Sequence, residues 1–371
     1  MTASVSHLTS LDEFRAVARL WDDLWLRSDS TSPTCKAAIV AHWVDHFAEH
    51  VAGTVDSSFR ALIVEQGGQW VAGLPLVEKR VAGMFRVGAW PANEWSDSGD
   101  LLLDASVAPK PVLDALARSL GLLPWDGLRL DDVEGDAPRW QHAFAAFDRV
   151  GIPVHFRPEM APGRLDVHGD WNAYRLTWSR RHRQQMARHA RELASLGRVE
   201  LRLLDQLPAE EVERWLSVGF EIEDRGWKGR EGTSVGRTPG MFAFYLEQAR
   251  ELARQGELVL ALLMVNEQPI AFAYGMCAKG VYRSYKVGYD PEFSRYSPGQ
   301  MLRYHLLERF FHDPRYRGVD YITPTPAHLH WHPERYRVGR LYVARRGMLG
   351  RCLVSAVRLL KHRGSALSAV S

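Results

Sequence analysis

Residues 281–300, VYRSYKVGYDPEFSRYSPGQ, place side chains that could move a proton beside a helix start that could hold an anion. A reaction with an amine as nucleophile needs a base, because an amine with a pKa of about 10 is almost fully protonated at neutral pH, and an oxyanion that forms in the reaction needs a hydrogen-bond donor. Asp290 is the candidate base, Tyr285 the candidate acid, and Lys286 the third candidate catalytic residue. For Asp290 the alternative is a turn-forming role before Pro291.

A strand predicted at residues 281–289 determines where these side chains point. Successive side chains of a strand alternate between the two faces of its sheet. We therefore expect Tyr285 and Tyr289 on one face and Lys286 on the other.

A helix predicted to begin at residues 297–300 supplies the candidate donor-binding residues. Ser297 is expected to cap it, Pro298 suits its first position, and Gln300 would complete a capping box. Gly299 lets a ligand approach the backbone closely. Free N–H groups and the helix dipole favour a pyrophosphate or another anion at such a start. The alternative is a well-capped helix that binds nothing.

Two further segments carry candidate substrate-binding residues. Arg180, Arg181 and Arg183 lie on a predicted helix, where their guanidinium groups could hold a phosphate or a carboxylate. A solvated basic face is the alternative. Trp227 and Lys228 lie in a glycine-rich loop, where the indole could stack on a sugar or acyl group and the ammonium could hold an oxyanion. An ordinary surface loop is the alternative there.

The elements that position these candidates occur in the same order twice. Apolar runs within residues 257–289 predict three antiparallel strands with turns at 266–269 and 279–280, and a helix and a strand at 318–323 follow. Residues 59–131 repeat that order. Two similar α/β domains are therefore expected, with the chemistry in the second copy or in the cleft between the copies.

Three segments resemble the GNAT acyltransferase superfamily, and within it the cellulose-biosynthesis (CelD-like) acetyltransferases, relatives of the Fem peptidyltransferases. They are WSRRHRQQMARHAR at residues 178–191, EIEDRGWKGREGTS at 221–234 and SYKVGYDPEFSRYSPGQ at 284–300. Their shared order is a stronger signal than any one of them. Counting from Arg295, proline and glutamine stand where the general phosphate loop of the superfamily has glycines.

The resemblance implies an α/β fold of two tandem GNAT-like domains, each a mixed, mostly antiparallel sheet flanked by helices. The expected parts are a degenerate domain at residues 1–160, an acyltransferase domain at 161–345 and a basic amphipathic tail at 346–371. The implied reaction moves an acyl group from an acyl-CoA, most simply acetyl-CoA, to an amine such as an amino sugar of a surface-polysaccharide pathway. Alternatives are Fem-type transfer from aminoacyl-tRNA and a non-catalytic protein that binds a polysaccharide precursor.

The resemblance also places an acceptor near the loop after the last core strand, where His332 and Tyr336 are the candidates. His328, His330 and His332 alternate, which in a strand would suggest zinc. Prolines around them disfavour a regular strand, and no acidic or cysteine ligand is obvious. No metal is expected.

Composition narrows the remaining choices. The 371 residues carry a formal net charge of +3, which gives no argument for nucleic acid as a partner unless the tRNA-dependent alternative holds. The three cysteines are too widely spaced for a disulfide framework or a metal site. No signal peptide and no apolar run of about 18 residues is visible, so a cytoplasmic protein is expected. Docking of the tail at residues 346–371 on the protein itself is expected, with peripheral contact at the inner membrane surface as the alternative.

Overall fold

The computed structural model describes residues 3–48, 59–81 and 85–345. They form two compact units, and each unit contains one mixed sheet with helices packed against it. The predicted α/β class with two sheet-based domains is confirmed. None of the described helices is long and apolar enough to cross a membrane.

The first unit is built from the N-terminal half of the chain and one late strand. Its strands are Ser4–Leu8 (β1), Phe59–Gln66 (β2), Gln69–Val81 (β3), Phe85–Ala89 (β4), Leu102–Leu103 (β5), Gly127–Glu134 (β6), Val154–Met160 (β7) and Val338–Ala344 (β15). Its helices are Leu11–Ala16 (α1), Ala18–Arg27 (α2), Ala37–Phe47 (α3), Pro109–Ser119 (α4) and Pro138–Val150 (α5). The strand order is β1-β2-β3-β4-β6-β15-β7, with β5 paired to β3.

The late strand β15 differs from the prediction, which assigned residues 161–345 to the second domain. β15 pairs antiparallel with both β6 and β7, so that Leu341 lies opposite Leu130 on one side and Phe156 on the other. Leu341 is fully buried in the core of the first unit. An interior strand is held by its partners on both sides, and no local sequence signal reveals those partners.

The division between the units follows from this strand. The first unit takes the described residues of 1–30, 34–161 and 336–371, and the second takes residues 31–33 and 162–335. Tyr336 therefore belongs to the first unit and His332 to the second, so the structure does not bring these two candidates into one unit. The tail predicted at residues 346–371 lies outside the described residues.

The second unit carries the remaining elements. Its strands are Gly163–Asp166 (β8), Val199–Leu204 (β9), Leu258–Val265 (β10), Gln268–Ala278 (β11), Val281–Tyr289 (β12), Gly318–Tyr321 (β13) and Glu334–Arg335 (β14). Its helices are Trp171–Thr177 (α6), Arg180–Ala194 (α7), Val212–Arg225 (α8), Trp227–Arg230 (α9), Met241–Arg254 (α10), Pro298–His312 (α11) and Pro326–Leu329 (α12). The strand order is β14-β8-β13-β12-β11-β10-β9, and β12 and β13 are a parallel pair.

Helices cover both faces of this sheet, and the burial of β10 reflects this. All eight residues of β10 are buried, as expected for a strand with an uninterrupted apolar sequence. Residues of α7 and α11 share a core with one face. On the other face, Phe220 of α8 packs on Phe272, and Tyr245 of α10 packs on Tyr274.

Candidate active site

The sheet of the second unit opens beside β12. β12 pairs with β13 only where residues 281–283 lie opposite residues 318–320. β12 continues to Tyr289, whereas β13 ends at Tyr321. Among the described strands, none pairs with residues 284–289 on this side. The separation leaves a cleft between the two strands.

A β-bulge lies at Tyr285, next to this opening. Tyr274 of β11 stands opposite Lys286, and the following residue, Gly275, stands opposite Ser284. Tyr285 is therefore an extra residue in the register with β11, which disturbs the alternation of side chains along the strand.

The bulge makes the predicted face of Tyr285 wrong, whereas Lys286 and Tyr289 lie on opposite faces as predicted. Tyr285 packs edge-on against Tyr274 at a ring-centroid distance of 6.3 Å. Lys286 Nζ lies 4.8 Å from the ring centroid of Tyr245, which itself packs on Tyr274. Tyr285 and Lys286 thus share the face covered by α10, whereas Tyr289 lies on the side of α11.

Lys286, Lys228 and Glu223 form a charged group on this face, which we call the lysine cluster. Lys228 Nζ donates to Glu223 Oε1 over 2.6 Å, and Glu223 is 4 % exposed. Burial, reinforced by the charge of Lys228, lowers the pKa of Lys286 to about 8, while Glu223 acts in the opposite direction. An amine with this pKa is partly neutral near physiological pH, which is the property required of a general base.

Glu223 is the member of the lysine cluster that sequence analysis missed. α8 ends at Arg225 and α9 begins at Trp227, so the chain bends at Gly226 and returns Lys228 to the preceding turn. Lys228 is held by an ion pair with Glu223, whereas the indole of Trp227 is open to solvent, at 55 % exposure. No spacing rule relates a carboxylate to a lysine across such a bend.

Asp290, the predicted base, makes contacts that hold the loop after β12. Its Oδ2 accepts from Arg225 Nη1 over 2.9 Å, and its Oδ1 accepts from the backbone N–H of Glu292 over 3.0 Å. The second contact caps the short 3₁₀ helix Pro291–Tyr296. The buried carboxylate is therefore engaged on both oxygens, as the turn-forming alternative expects.

The start of α11 differs from the predicted capping box. Pro298 occupies the first turn as expected, but Ser297 has a left-handed backbone (φ 53°, ψ 52°) and makes no side-chain cap. Its Oγ lies 3.3 Å from His189 Nε2 instead. Gln300 turns inward and accepts from Trp331 Nε1 over 3.1 Å. An N-cap side chain reaches the third amide from an extended backbone, which Ser297 does not have.

Gly299 provides one open amide at this helix start. The N–H groups of Gln300 and Met301 both donate to the Ser297 carbonyl, over 2.9 and 3.0 Å. No described residue accepts from the N–H of Gly299. A Cβ built on Gly299 would approach only Tyr289, at 3.7 Å. The residues present therefore fit contact with one anionic oxygen.

The three candidate arginines of α7 are of two kinds. Arg183 Nη1 donates to the carbonyls of Leu176 and Trp178, so it closes the C-terminal end of α6. Arg180 and Arg181 are exposed and have no partner among the described residues. Those two guanidinium groups remain available to an anionic ligand.

The three histidines after β13 do not form a strand. His328 lies in α12, and His332 is exposed with a positive φ of 51°. His330 stacks on His182 of α7 at 5.3 Å. Within residues 3–48, 59–81 and 85–345, no group of three or more His, Cys, Asp or Glu side chains could hold a metal ion.

His182 is buried among aromatic rings, and we therefore expect the second unit to lose stability in acid. Burial, assisted by His330 and His332, lowers the pKa of His182 to about 4. The unfolded chain takes up this proton near pH 6.5 and the folded chain only near pH 4, so stability is lost as pH falls through that window. His182→Phe should reduce this loss in urea unfolding at several pH values. An unchanged slope would contradict the prediction, and the exposed His168→Phe is the control.

Comparisons with known proteins support an acyltransferase fold. Residues 180–336 match the family described as Acetyltransferase (GNAT) domain. FemX has a similar structure, with a TM-score of 0.60 and 12 % identity over 91 % of this chain and 96 % of that one. The C-terminal domain (DUF2156) of a putative lysylphosphatidylglycerol synthetase from Agrobacterium fabrum is also similar. Its TM-score is 0.53 and its sequence identity is 12 %, over 94 % of this chain and 97 % of that one. No curated protein sequence matches the chain significantly.

At 12 % identity the solved structures show a shared fold and no more. They extend over more than nine-tenths of the chain, whereas the family match covers most of the second unit, from residue 180 onward. Nothing in them distinguishes the CelD-like branch, which stays a prediction. The chain contains a GNAT acetyltransferase domain at residues 180–336 and is an acyltransferase.

Proposed function

We propose that the second unit transfers an acyl group from an acyl-CoA, in the simplest case acetyl-CoA, to an amine, with Lys286 as the general base. The observation that carries the proposal is the half-buried Lys286 next to the bulge of β12, whose pKa is lowered to about 8. A neutral Lys286 can take the proton that the acceptor amine must lose. Tyr285, beside it, would donate a proton to the leaving thiolate.

The start of α11 supports an anionic donor. The open amide of Gly299 and the positive end of a 15-residue helix favour one phosphate oxygen of the CoA diphosphate. The exposed Arg295 adds a positive charge in the same loop. The GNAT domain match supports acyl-CoA as the donor class.

The proposed acceptor is an amino sugar or a related precursor of surface-polysaccharide biosynthesis. The exposed indole of Trp227, next to the lysine cluster in the sequence, offers a stacking surface for a sugar ring. Arg180 and Arg181 offer free guanidinium groups for the phosphate of a nucleotide- or lipid-linked sugar. A cytoplasmic enzyme, with peripheral contact at the inner membrane surface as the alternative, fits such an acceptor.

A second candidate is Fem-type transfer of an amino acid from aminoacyl-tRNA. The structural similarity to FemX favours it. Lys286 would keep the same role, because the acyl carbon would still be attacked by an amine.

A transfer assay with both donor classes tests the proposal. The protein is incubated with acetyl-CoA and a panel of amino sugars, nucleotide-linked amino sugars and simple amines, and free thiol is followed. We expect thiol release that depends on the amine. Transfer from charged tRNA alone would establish the second candidate. Tight binding of a nucleotide-linked sugar without transfer from either donor would instead identify a non-catalytic binding protein.

The lysine cluster predicts opposite pH shifts for two substitutions. Lys228→Met removes a positive charge and should raise the pKa of Lys286, whereas Glu223→Gln removes a negative charge and should lower it. The ascending limb of kcat/KM should move to higher pH in the first variant and to lower pH in the second, by about one unit each. Shifts in the same direction would contradict the assignment. The exposed Lys110→Met is the control.

A further inference from the structure

The outer edge of β9 is open in the second unit. β9 ends the strand order of its sheet, and among the described strands it pairs only with β10. Edge strands usually carry a proline, a bulge or a cover that blocks further pairing. β7, an edge of the first sheet, has Pro158 and an irregular register with β15. β9 has no proline, and its register with β10 runs without a bulge.

The register of β9 with β10 determines which backbone groups point outward. The N–H of Asn266 donates to the carbonyl of Arg198 over 2.7 Å, so these residues form a hydrogen-bonded pair. Because hydrogen-bonded and non-hydrogen-bonded pairs alternate along antiparallel strands, Glu200 and Arg202 also bond to β10. The N–H and C=O groups that point away from β10 are those of Val199, Leu201 and Leu203.

These outward backbone groups have no hydrogen-bond partner among the described residues. The side chains of the same three residues are half-buried against the core that α7 and α11 share. On the other face of the sheet, Arg202 lies over the ring of Trp215 of α8, 5.3 Å from its centroid. Glu200 lies on that face too, 40 % exposed. An unpaired edge of this kind is a template for another strand.

We propose that this edge pairs antiparallel with the same edge of a second copy of the chain, about a two-fold axis at Leu201. Leu201 then lies opposite its own copy, and Val199 lies opposite Leu203 of the partner subunit. All of these residues direct their backbone groups outward, so the pairs exchange about six hydrogen bonds. The contact uses the same surface on both chains and therefore closes as a dimer.

Charge favours this register and this partner. With the axis at Leu201, Glu200 lies opposite Arg202 of the partner subunit in a non-hydrogen-bonded pair, where side chains approach most closely. Symmetry makes this ion pair occur twice. An axis at Glu200 or Arg202 would instead place identical charges opposite each other, which is destabilising. The strand is thus complementary to itself, which favours a second copy over an unrelated peptide.

The interface consists mainly of backbone contacts, so we expect a weak dimer. It goes beyond the proposed function, because it concerns the association of two chains and uses no residue of the lysine cluster.

Sedimentation equilibrium of the full chain from about 1 µM to about 1 mM tests the proposal, and a monomer–dimer equilibrium is expected in this range. Glu200→Arg and Arg202→Glu each create two like-charge pairs, so each should weaken the dimer about 10-fold or more. The double variant restores opposite charges and should bind within about threefold of the wild type. Glu221→Arg, the same charge change at an exposed position of α8, is the control.

Three results would overturn the proposal: a monomer at about 1 mM, a dimer that neither single change weakens, or a double variant as weak as the single ones.

Hydrogen exchange of the wild type, followed by NMR, is a second measurement that needs no variant. The outward amides of Val199, Leu201 and Leu203 gain partners only in the dimer, so their exchange should slow as rising protein concentration lowers the monomer fraction. The amides of Glu200 and Arg202 bond to β10 in both states and serve as internal controls. Exchange at the outward amides that does not depend on concentration, in a sample that dimerises, would place the contact on another surface and overturn the proposal.

Discussion

Lys286→Met should lower acyl-transfer turnover about 10²- to 10⁴-fold, the range measured when a general base is removed. The same change should stabilise the protein at pH 7, because it removes an ammonium whose pKa burial has lowered to about 8. After allowance for its partial exposure, we expect a gain of about 1–2 kcal/mol. Activity is followed with saturating donor, and stability is followed by urea unfolding.

The stability gain has a defined pH dependence. Between pH 8 and about 10.4 the unfolded chain binds this proton and the folded chain does not, so wild-type stability rises through that window. The advantage of Lys286→Met should therefore shrink as pH rises through it. Lys286→Arg should not restore turnover, because a guanidinium does not release its proton. Full activity of Lys286→Met would remove the base from this site.

Asp320→Asn should cost about 2–4 kcal/mol of stability, the second large effect that we expect. Asp320 is completely buried and holds both Arg164 and Arg283. These contacts join β8, β12 and β13 at the point from which β12 and β13 separate. Removing the carboxylate charge abolishes the ion pair of Asp320 with Arg283, whose side chain is 12 % exposed. The free energy of unfolding in guanidinium chloride measures the loss.

The control for Asp320→Asn is Asp166→Asn on the neighbouring strand. The side chain of Asp166 is 73 % exposed, so its loss should change stability by less than about 0.5 kcal/mol. A similarly small effect of Asp320→Asn would show that the buried arginines find other partners. In that case the network would not hold the separation of β12 and β13.

Much of the second sheet could be predicted because its signals are local. The uninterrupted apolar run at residues 258–265 indicates a strand covered on both faces, and the structure buries all of it. The turns predicted after it contain Asn266, Lys279 and Gly280, all with the positive φ that tight turns require. Pro298 likewise marks the start of α11 correctly.

The arrangement of the candidate site could not be predicted because it depends on tertiary contacts. Strand alternation gave the wrong face for Tyr285, since the bulge at this residue appears only in the register with β11. The predicted base Asp290 is engaged in an ion pair with Arg225, which lies far away in the sequence, in α8.

Direct titration of Lys286 tests the central claim without knowledge of either substrate. The folded protein is labelled with trace acetic anhydride at a series of pH values. Trypsin then releases the peptide SYKVGYDPEFSR, residues 284–295, in which acetylated Lys286 blocks cleavage, and mass spectrometry quantifies it against the exposed Lys110. We predict that labelling of Lys286 rises with a midpoint of about 8. A midpoint at the ordinary lysine value of about 10.4 would contradict its assignment as the base.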